Sequence, residues 1–426
     1  MNVWFRNAQV LRTEENGKSL LCSADVGVQN EKILFVGAAP ENFRPDRTID
    51  CRGGLLMPGF VNAHTHSPLS LLRGCGEGKR LQQWLQQIVW PFETKHTYKS
   101  CYWGTMLNAA ENIRCGVTCI NDMYIHADAV AQAASDAHLR ALICPTVTDA
   151  LLSEQPDRFS RIAALAEQYR AHPYIHIGIA PHAVYTCSEQ TLQKTYDCSE
   201  QLQLPVHVHI AETRTEMENC ARQNNGLTPL AVLEQQGLVH AHTLLAHGVY
   251  LTRKDITHLA ERGACVVHCP KSNLKLGSGI APVNTLLDAG VCVALGTDSS
   301  ASNNAQDLLE ELRMAILLQR GAREDPTLVS VQQSIQMATY APLKAMGFSE
   351  CGRIAPEMQA DLILFDTKGP AWLPEERNLE ALLFAAHATD VRMTMSAGRI
   401  LYLDGAYFSI DMEKLRAQIK QILQKF

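Results

Sequence analysis

Apolar and polar residues alternate at short period in two regions at opposite ends of the chain. Between them, short apolar runs alternate with longer amphipathic stretches. From Asn2 to about Leu56, the segments VWFRNAQVL, ADVGVQNEKILFVG and TIDCRGGLL are rich in β-branched and aromatic residues and broken by Gly, Asn and Asp, the pattern of strands and turns. A second such region begins near Gly352, with ADLILFDTK and VRMTMSAGRILYLDG. In between, LMPGFVNAH, VTCINDMY, ALICPTV, IHIGIAPH, PVHVHIAE, TLLAHGV, ACVVHCP and CVALGTD read as strands. Segments such as SCYWGTMLNAAENIRCG and LSEQPDRFSRIAALAEQYRAH read as the helices between them. Strands alternating with helices imply a parallel sheet of βαβ units. Eight units over about 290 residues match a (β/α)8 TIM-like barrel. The expected architecture is α/β: a barrel over 57–351, a small β-sandwich module from 1–56 and 352–410, and a C-terminal helix over 411–426.

Length and charge narrow the classes. The chain has 426 residues, 46% of them hydrophobic, and one barrel of about 250 residues with one smaller module fits that length. The net charge of −6 comes with no Lys/Arg run of the kind that tracks phosphates, which argues against nucleic acid as a partner. No stretch approaches the roughly 18 apolar residues of a membrane span, and MNVWFRNAQV lacks the pattern of a signal peptide. The 14 cysteines are scattered, with no CxxC, and read as reduced thiols in a cytoplasmic protein. The expected partner is a small molecule; a homo-oligomer is left open.

In such a barrel, chemistry sits at the C-terminal ends of the strands. Those ends carry His64 and His66, Asp122, His182, His209, His247, His268 and Asp298. His64 and His66 are two apart on an extended strand and so face the same way, and paired imidazoles suit a first-row divalent ion. In PVHVHIAET, spacing alone allows either His207 or His209 as a ligand. His209 is preferred because it lies nearer the strand end, with Glu212 just beyond; His207 then sits deeper, packed or supporting. Glu212 also reads as a cap of the following helix, and Asp298, in GTDSSASNN, as an N-cap. A carboxylate at Asp298 could equally touch a metal and take a proton from water.

PGFVNAHTHSPLSLLRG, WPFE, APHAVYTCS, HVHIAET, LAHGV, HCPKSNLKLGSG and GTDSSASNN occur in this order. Together they resemble the amidohydrolase superfamily, in its cytosine deaminase/chlorohydrolase-like branch, and within that the methylthioadenosine/S-adenosylhomocysteine deaminases. The resemblance runs over nearly the whole chain. It implies metal ligands His64, His66, His209 and Asp298. Strand four ends on His182 where two-metal relatives carry a bridging lysine, so one divalent ion is expected, zinc by default with iron as the alternative. By the same resemblance Glu93 and His182 line the substrate site, Glu212 works on a ring nitrogen, His247 flanks the nucleophile, and His268 is structural.

The implied reaction adds hydroxide to a ring carbon bearing an amino group and then expels ammonia. A divalent ion lowers the pKa of water to about 7. Asp298 would take the proton and return it to the departing amine, and Glu212 would protonate the adjacent ring nitrogen. The expected substrate is an adenosine-type nucleoside. The alternatives are a free base or pterin-like heterocycle, a triazine, or an inactive scaffold, which would have lost a ligand or carboxylate that this chain keeps. Nucleoside deaminases of the family carry an arginine just after the third strand. Here Cys144-Pro145 stands there, with Arg140 before it and Arg158 and Arg161 after it. A small or uncharged tail is therefore expected over a carboxylate-bearing one.

Overall fold

The computed structural model describes residues 1–13, 19–375 and 378–425. The terminal regions meet in one nine-stranded sheet. Its N-terminal strands are β1 (Asn2–Thr13), β2 (Ser19–Gln29), β3 (Lys32–Val36), β4 (Arg47–Asp50) and β5 (Leu55–Pro58). The segment ADVGVQNEKILFVG thus makes a hairpin of β2 and β3. It turns at Asn30, whose φ of +56° suits asparagine better than most residues. β5 pairs in parallel with β1 and antiparallel with a strand from the other end of the chain, Leu362–Phe365. Val3, Phe5, Val10, Val28 and Ile33 share one buried cluster with Leu362, Leu364, Met393 and Met395, so both chain ends build a single small core.

The central strands are β6 (Phe60–Thr65), β7 (Val117–Tyr124), β8 (Arg140–Val147), β9 (Ile175–Ile177), β10 (Ala180–Pro181), β11 (Val206–Ile210), β12 (Thr243–His247), β13 (Cys265–His268) and β14 (Cys292–Leu295). They pair in parallel as two arcs, one running β6, β7, β8 and on to β9 and β10, the other β11 to β14. Bridges Ile179↔Val206 and Ala183↔His209 join the arcs at one seam. At the other, the Asp298 amide donates to the His64 carbonyl at 2.9 Å. β6, β7 and β8 are buried at every position, as expected for parallel strands covered on both faces.

Two expected strands are each divided at a glycine. LMPGFVNAH splits at Gly59: β5 belongs to the terminal sheet and only β6 to the parallel arc. The Gly59 amide bonds the Asp361 carbonyl at 3.0 Å, and a Cβ there would stand 2.1 Å from Thr118 Oγ1. IHIGIAPH splits at Gly178, where a Cβ would stand 2.7 Å from both Cys144 Sγ and the Pro205 carbonyl.

The C-terminal strands are β15 (Leu362–Phe365), β16 (Val391–Ser396), β17 (Arg399–Leu403) and β18 (Ala406–Tyr407). Between β15 and β16 the chain leaves the sheet, and Trp372, Leu382 and Leu383 bury into the larger core around the parallel strands. A buried ion pair, Arg140 Nε to Asp361 Oδ2 at 2.9 Å, ties the start of β8 to the terminal sheet. The C-terminal helix runs Met412–Leu423, capped by Asp411, and Lys414 lies 5.7 Å over the Trp103 ring. Among the described residues no helix is long and apolar enough to cross a membrane.

Candidate metal centre and its cavity

His64 lies in β6 and His66 directly follows it; their rings stand 4.8 Å apart. The His209 ring, from β11, is 5.0 Å from His64 and 5.2 Å from His66. Asp298 lies just beyond β14, with Oδ1 3.7 Å from His64 Nε2 and 3.6 Å from His66 Nε2. His247, closing β12, brings a nitrogen into the same space: donor atoms of His64, His209 and His247 lie within 4.8 Å of one another, as do those of His64, His66 and Asp298. Asp298 and His247 are the sharp points of this geometry, both in the left-handed region (φ +59° and +75°), where a non-glycine residue is strained.

The hydrogen bonds fix which nitrogen of each ring carries a proton, because a carbonyl can only accept. His66 Nδ1 donates to the Met123 carbonyl at 2.7 Å, and His209 Nδ1 to the His182 carbonyl at 2.8 Å. His207 Nδ1 donates to the Leu244 carbonyl at 3.0 Å, so its Nε2 must accept from His64 Nδ1, 2.8 Å away. In their neutral forms the Nε2 atoms of His64, His66 and His209 therefore present lone pairs to the same space. His64 Nε2 is buried and, among the described residues, has no hydrogen-bond partner. His66 Nε2 and His209 Nε2 face each other at 3.2 Å. Burial and neighbouring imidazoles push His64 and His209 well below the ordinary histidine pKa, so both stay neutral. Lone pairs so opposed call for a cation. Donors about 2.1 Å from one tetrahedral ion stand about 3.4 Å apart, close to the separations observed. The residues fit a divalent metal, each ring oriented by a bond from its other nitrogen.

Asp298 is held by two bonds, from Ser272 Oγ to Oδ2 and from the Ser299 amide to Oδ1, each 2.6 Å. Glu212 lies across from it, its Oε2 3.9 Å from His247 Nε2 and its Oε1 accepting from Ser278 Oγ at 3.3 Å. Burial raises the Glu212 pKa, with Asp298 adding to the rise and His247 opposing it. Burial alone would lower His247, but Glu212 and Asp298 hold it above its ordinary value. Its Nδ1 donates to Asn273 Oδ1 at 2.8 Å.

These groups open on a cavity also lined by Glu93, His182, Leu81, Trp84, Leu85, Met123, Tyr124, Ile125, Thr146, Tyr185 and Leu276. Glu93 sits in a helical turn that follows a π-helical segment, Leu85–Val89. Burial pushes its pKa up to about 7, against a lowering hydrogen bond from Tyr124. His182 Nδ1 bonds Thr186 Oγ1 at 3.2 Å, and burial takes the ring down to about 4. Asp122 and His268 stand outside this cavity lining. Asp122 accepts the Ser67 amide at 2.6 Å, and His268 is buried and held neutral, its pKa brought down to about 3 by burial. Arg158 is buried, and its donors go to the Thr146 carbonyl, to Ile125 O at 3.1 Å and to Gln155 Oε1 at 3.0 Å. Arg140 is committed to Asp361, and Arg161 pairs with Asp157 near the surface. A larger cleft elsewhere, lined by Glu167, Arg170, His176, His240 and His242, contains none of these residues.

Sequence reasoning missed Tyr124, Ser272, Asn273 and Ser278. Tyr124 ends a β-prone run and reads as a strand residue. The other three lie inside HCPKSNLKLGSG, where Ser and Asn read as turn formers.

Residues 55–401 match the amidohydrolase family. A curated 5-methylthioadenosine/S-adenosylhomocysteine deaminase of Pyrococcus furiosus is 37% identical over 406 residues, 94% of this chain and 96% of its own. One of Moorella thermoacetica is 37% identical over 405 residues, 94% of each. The crystal structure of an adenosine deaminase from Xanthomonas campestris with bound zinc superposes with a TM-score of 0.94 at 34% identity, covering 99% of this chain and 98% of that one. An atrazine chlorohydrolase from Arthrobacter aurescens shares the fold, with a TM-score of 0.90, at 22% identity over 99% of this chain and all of its own. Family match, relatives and geometry agree, and the chain belongs to the amidohydrolase family.

Proposed function

We propose that the protein is a hydrolytic deaminase of adenosine-type nucleosides that works with one divalent ion, zinc by default and iron as the alternative. The observation that carries this reading is the gathering of His64 with His66 and Asp298, and of His64 with His209 and His247, each set within 4.8 Å, with Glu212 beside His247. The relatives named above as deaminases support the reaction class. The eight parallel units would form a (β/α)8 barrel over 57–351, with a small module from both chain ends built on the terminal sheet and its own core, and Met412–Leu423 as a closing helix. Fourteen free cysteines, most of them buried, support a reducing, cytoplasmic setting.

His64, His66, His209 and Asp298 would hold the ion, which when bound supplies Lewis-acid activation and lowers the pKa of water to about 7. Asp298, oriented by Ser272 and Ser299, accepts the proton from the attacking water and hands it to the departing amine. Glu212, whose pKa burial raises, gives a proton to the ring nitrogen beside the reacting carbon and recovers one from the added hydroxyl as the amine leaves. His247 keeps Nδ1–H on Asn273 and turns Nε2 toward the nucleophile. Glu93 accepts from the two adjacent ribose hydroxyls, and His182 lines the ring. The cavity lining supports an uncharged tail: it contains Glu93, Glu212 and Asp298 but, among the described residues, no lysine or arginine. A buried carboxylate there would lack a counter-charge.

Glu212→Gln tests the acid. It should leave metal content at about one ion per chain while lowering kcat by at least about 10²-fold, because a proton donor is lost but no ligand is. Near-normal turnover would place the acid elsewhere, and two metal equivalents in active enzyme would overturn the single-ion reading.

A further inference from the structure

We propose that Glu216 is a positioning residue that fixes the turn delivering Glu212 into the cavity and affects catalysis only through Glu212. This rests on the reading of Glu212 as the proton donor. β11 ends at Ile210, and the next residue, Ala211, has a φ of +48°, a left-handed conformation that alanine resists. Thr213 then caps the helix Arg214–Gln223, its side chain accepting the Glu216 amide at 3.1 Å. In an ordinary capping box the glutamate at this position returns to the amide of the cap itself. Here Glu216 reaches further. Its Oε2 is 2.7 Å from the Glu212 amide and 3.5 Å from that of Thr213, while Oε1 accepts from Ala211 at 2.9 Å.

One buried carboxylate thus gathers the successive amides of Ala211 and Glu212, on either side of the Ala211 Cα. The carbonyls of the same turn are tied to the end of β12: Gly248 N bonds Ile210 O at 3.0 Å, and Tyr250 N bonds Ala211 O at 2.9 Å. The Glu212 side chain, by contrast, has one hydrogen bond among the described residues, the 3.3 Å contact from Ser278. Its place opposite Asp298 is therefore set through its backbone, and Glu216 holds that backbone. An amide at 216 would turn one N–H toward another N–H and release one of the two.

The test is a double-mutant cycle with holoenzyme and adenosine. Glu216→Gln should lower kcat by about 10- to 10²-fold, the cost of roughly an ångström of misplacement. KM should stay within about threefold and metal content near one. In the Glu212→Gln background the same change should alter kcat by less than about twofold, since the residue it serves is already disabled. Glu216→Asp, which keeps the charge but falls short of Ala211, should follow the same pattern and stands in if the glutamine variant does not fold. Normal kcat in Glu216→Gln, or effects that multiply in the double variant, would overturn the proposal while sparing the role of Glu212. Normal turnover of Glu212→Gln alone would overturn both.

Discussion

Glu93 combines a carboxylate with an apolar wall of Leu81, Trp84, Leu85 and Ile125, and burial lifts its pKa to about 7. In the proposed role the group, ionised above pH 7, would accept from two hydroxyls; below it the proton would remove part of that capacity and weaken charge-assisted bonds worth about 1.5–3 kcal/mol each. KM for a ribonucleoside should therefore rise as pH falls from 8 to 6, while a 2′,3′-dideoxy analogue shows no such trend. Glu93→Ala should lower kcat/KM for the ribonucleoside by about 10²-fold or more and cost the analogue little. Equal losses on both substrates would make Glu93 structural. At this scale the histidines were legible, because period-two spacing alone faces His64 and His66 together. The choice of His209 over His207 rested on depth in the strand; the reason His207 matters, a bond to His64 Nδ1, needs three-dimensional contact. So does the grip of Ser272 on Asp298.

At the level of elements, the parallel strands and both terminal regions could be read from apolar runs and their punctuation. What could not be read was which sheet a run joins. LMPG and FVNAH are contiguous in sequence and equally apolar, yet Gly59 sends them to different sheets, because its lack of a side chain lets Thr118 approach. The seam between β14 and β6 depends on another such contact. A Cβ at Gly296 would stand 2.7 Å from His64 Cβ and 2.9 Å from its amide nitrogen. Gly296→Ala should therefore push β6 outward. The protein should still fold, losing about 1–3 kcal/mol to overpacking, but its metal content should drop well below that of the wild type. Unchanged metal content would show that the seam does not position His64.

For the whole molecule, one chain end reaches the other through the nine-stranded sheet, and Arg140–Asp361 pins that sheet to the parallel strands behind the site. Arg140 opens β8 while the cavity takes Thr146 near the end of that strand, so substrate choice falls to the strand ends and the segment carrying Glu93. The proposed function makes this cavity a deaminase site for adenosine-type nucleosides with an uncharged tail. Its most direct test is ammonia release by the metal-loaded protein across adenosine, methylthioadenosine, S-adenosylhomocysteine, guanine, cytosine and a pterin. kcat/KM should be highest for methylthioadenosine or adenosine and clearly lower for S-adenosylhomocysteine, with little turnover of the free bases. A free base or pterin preferred over every nucleoside would contradict it.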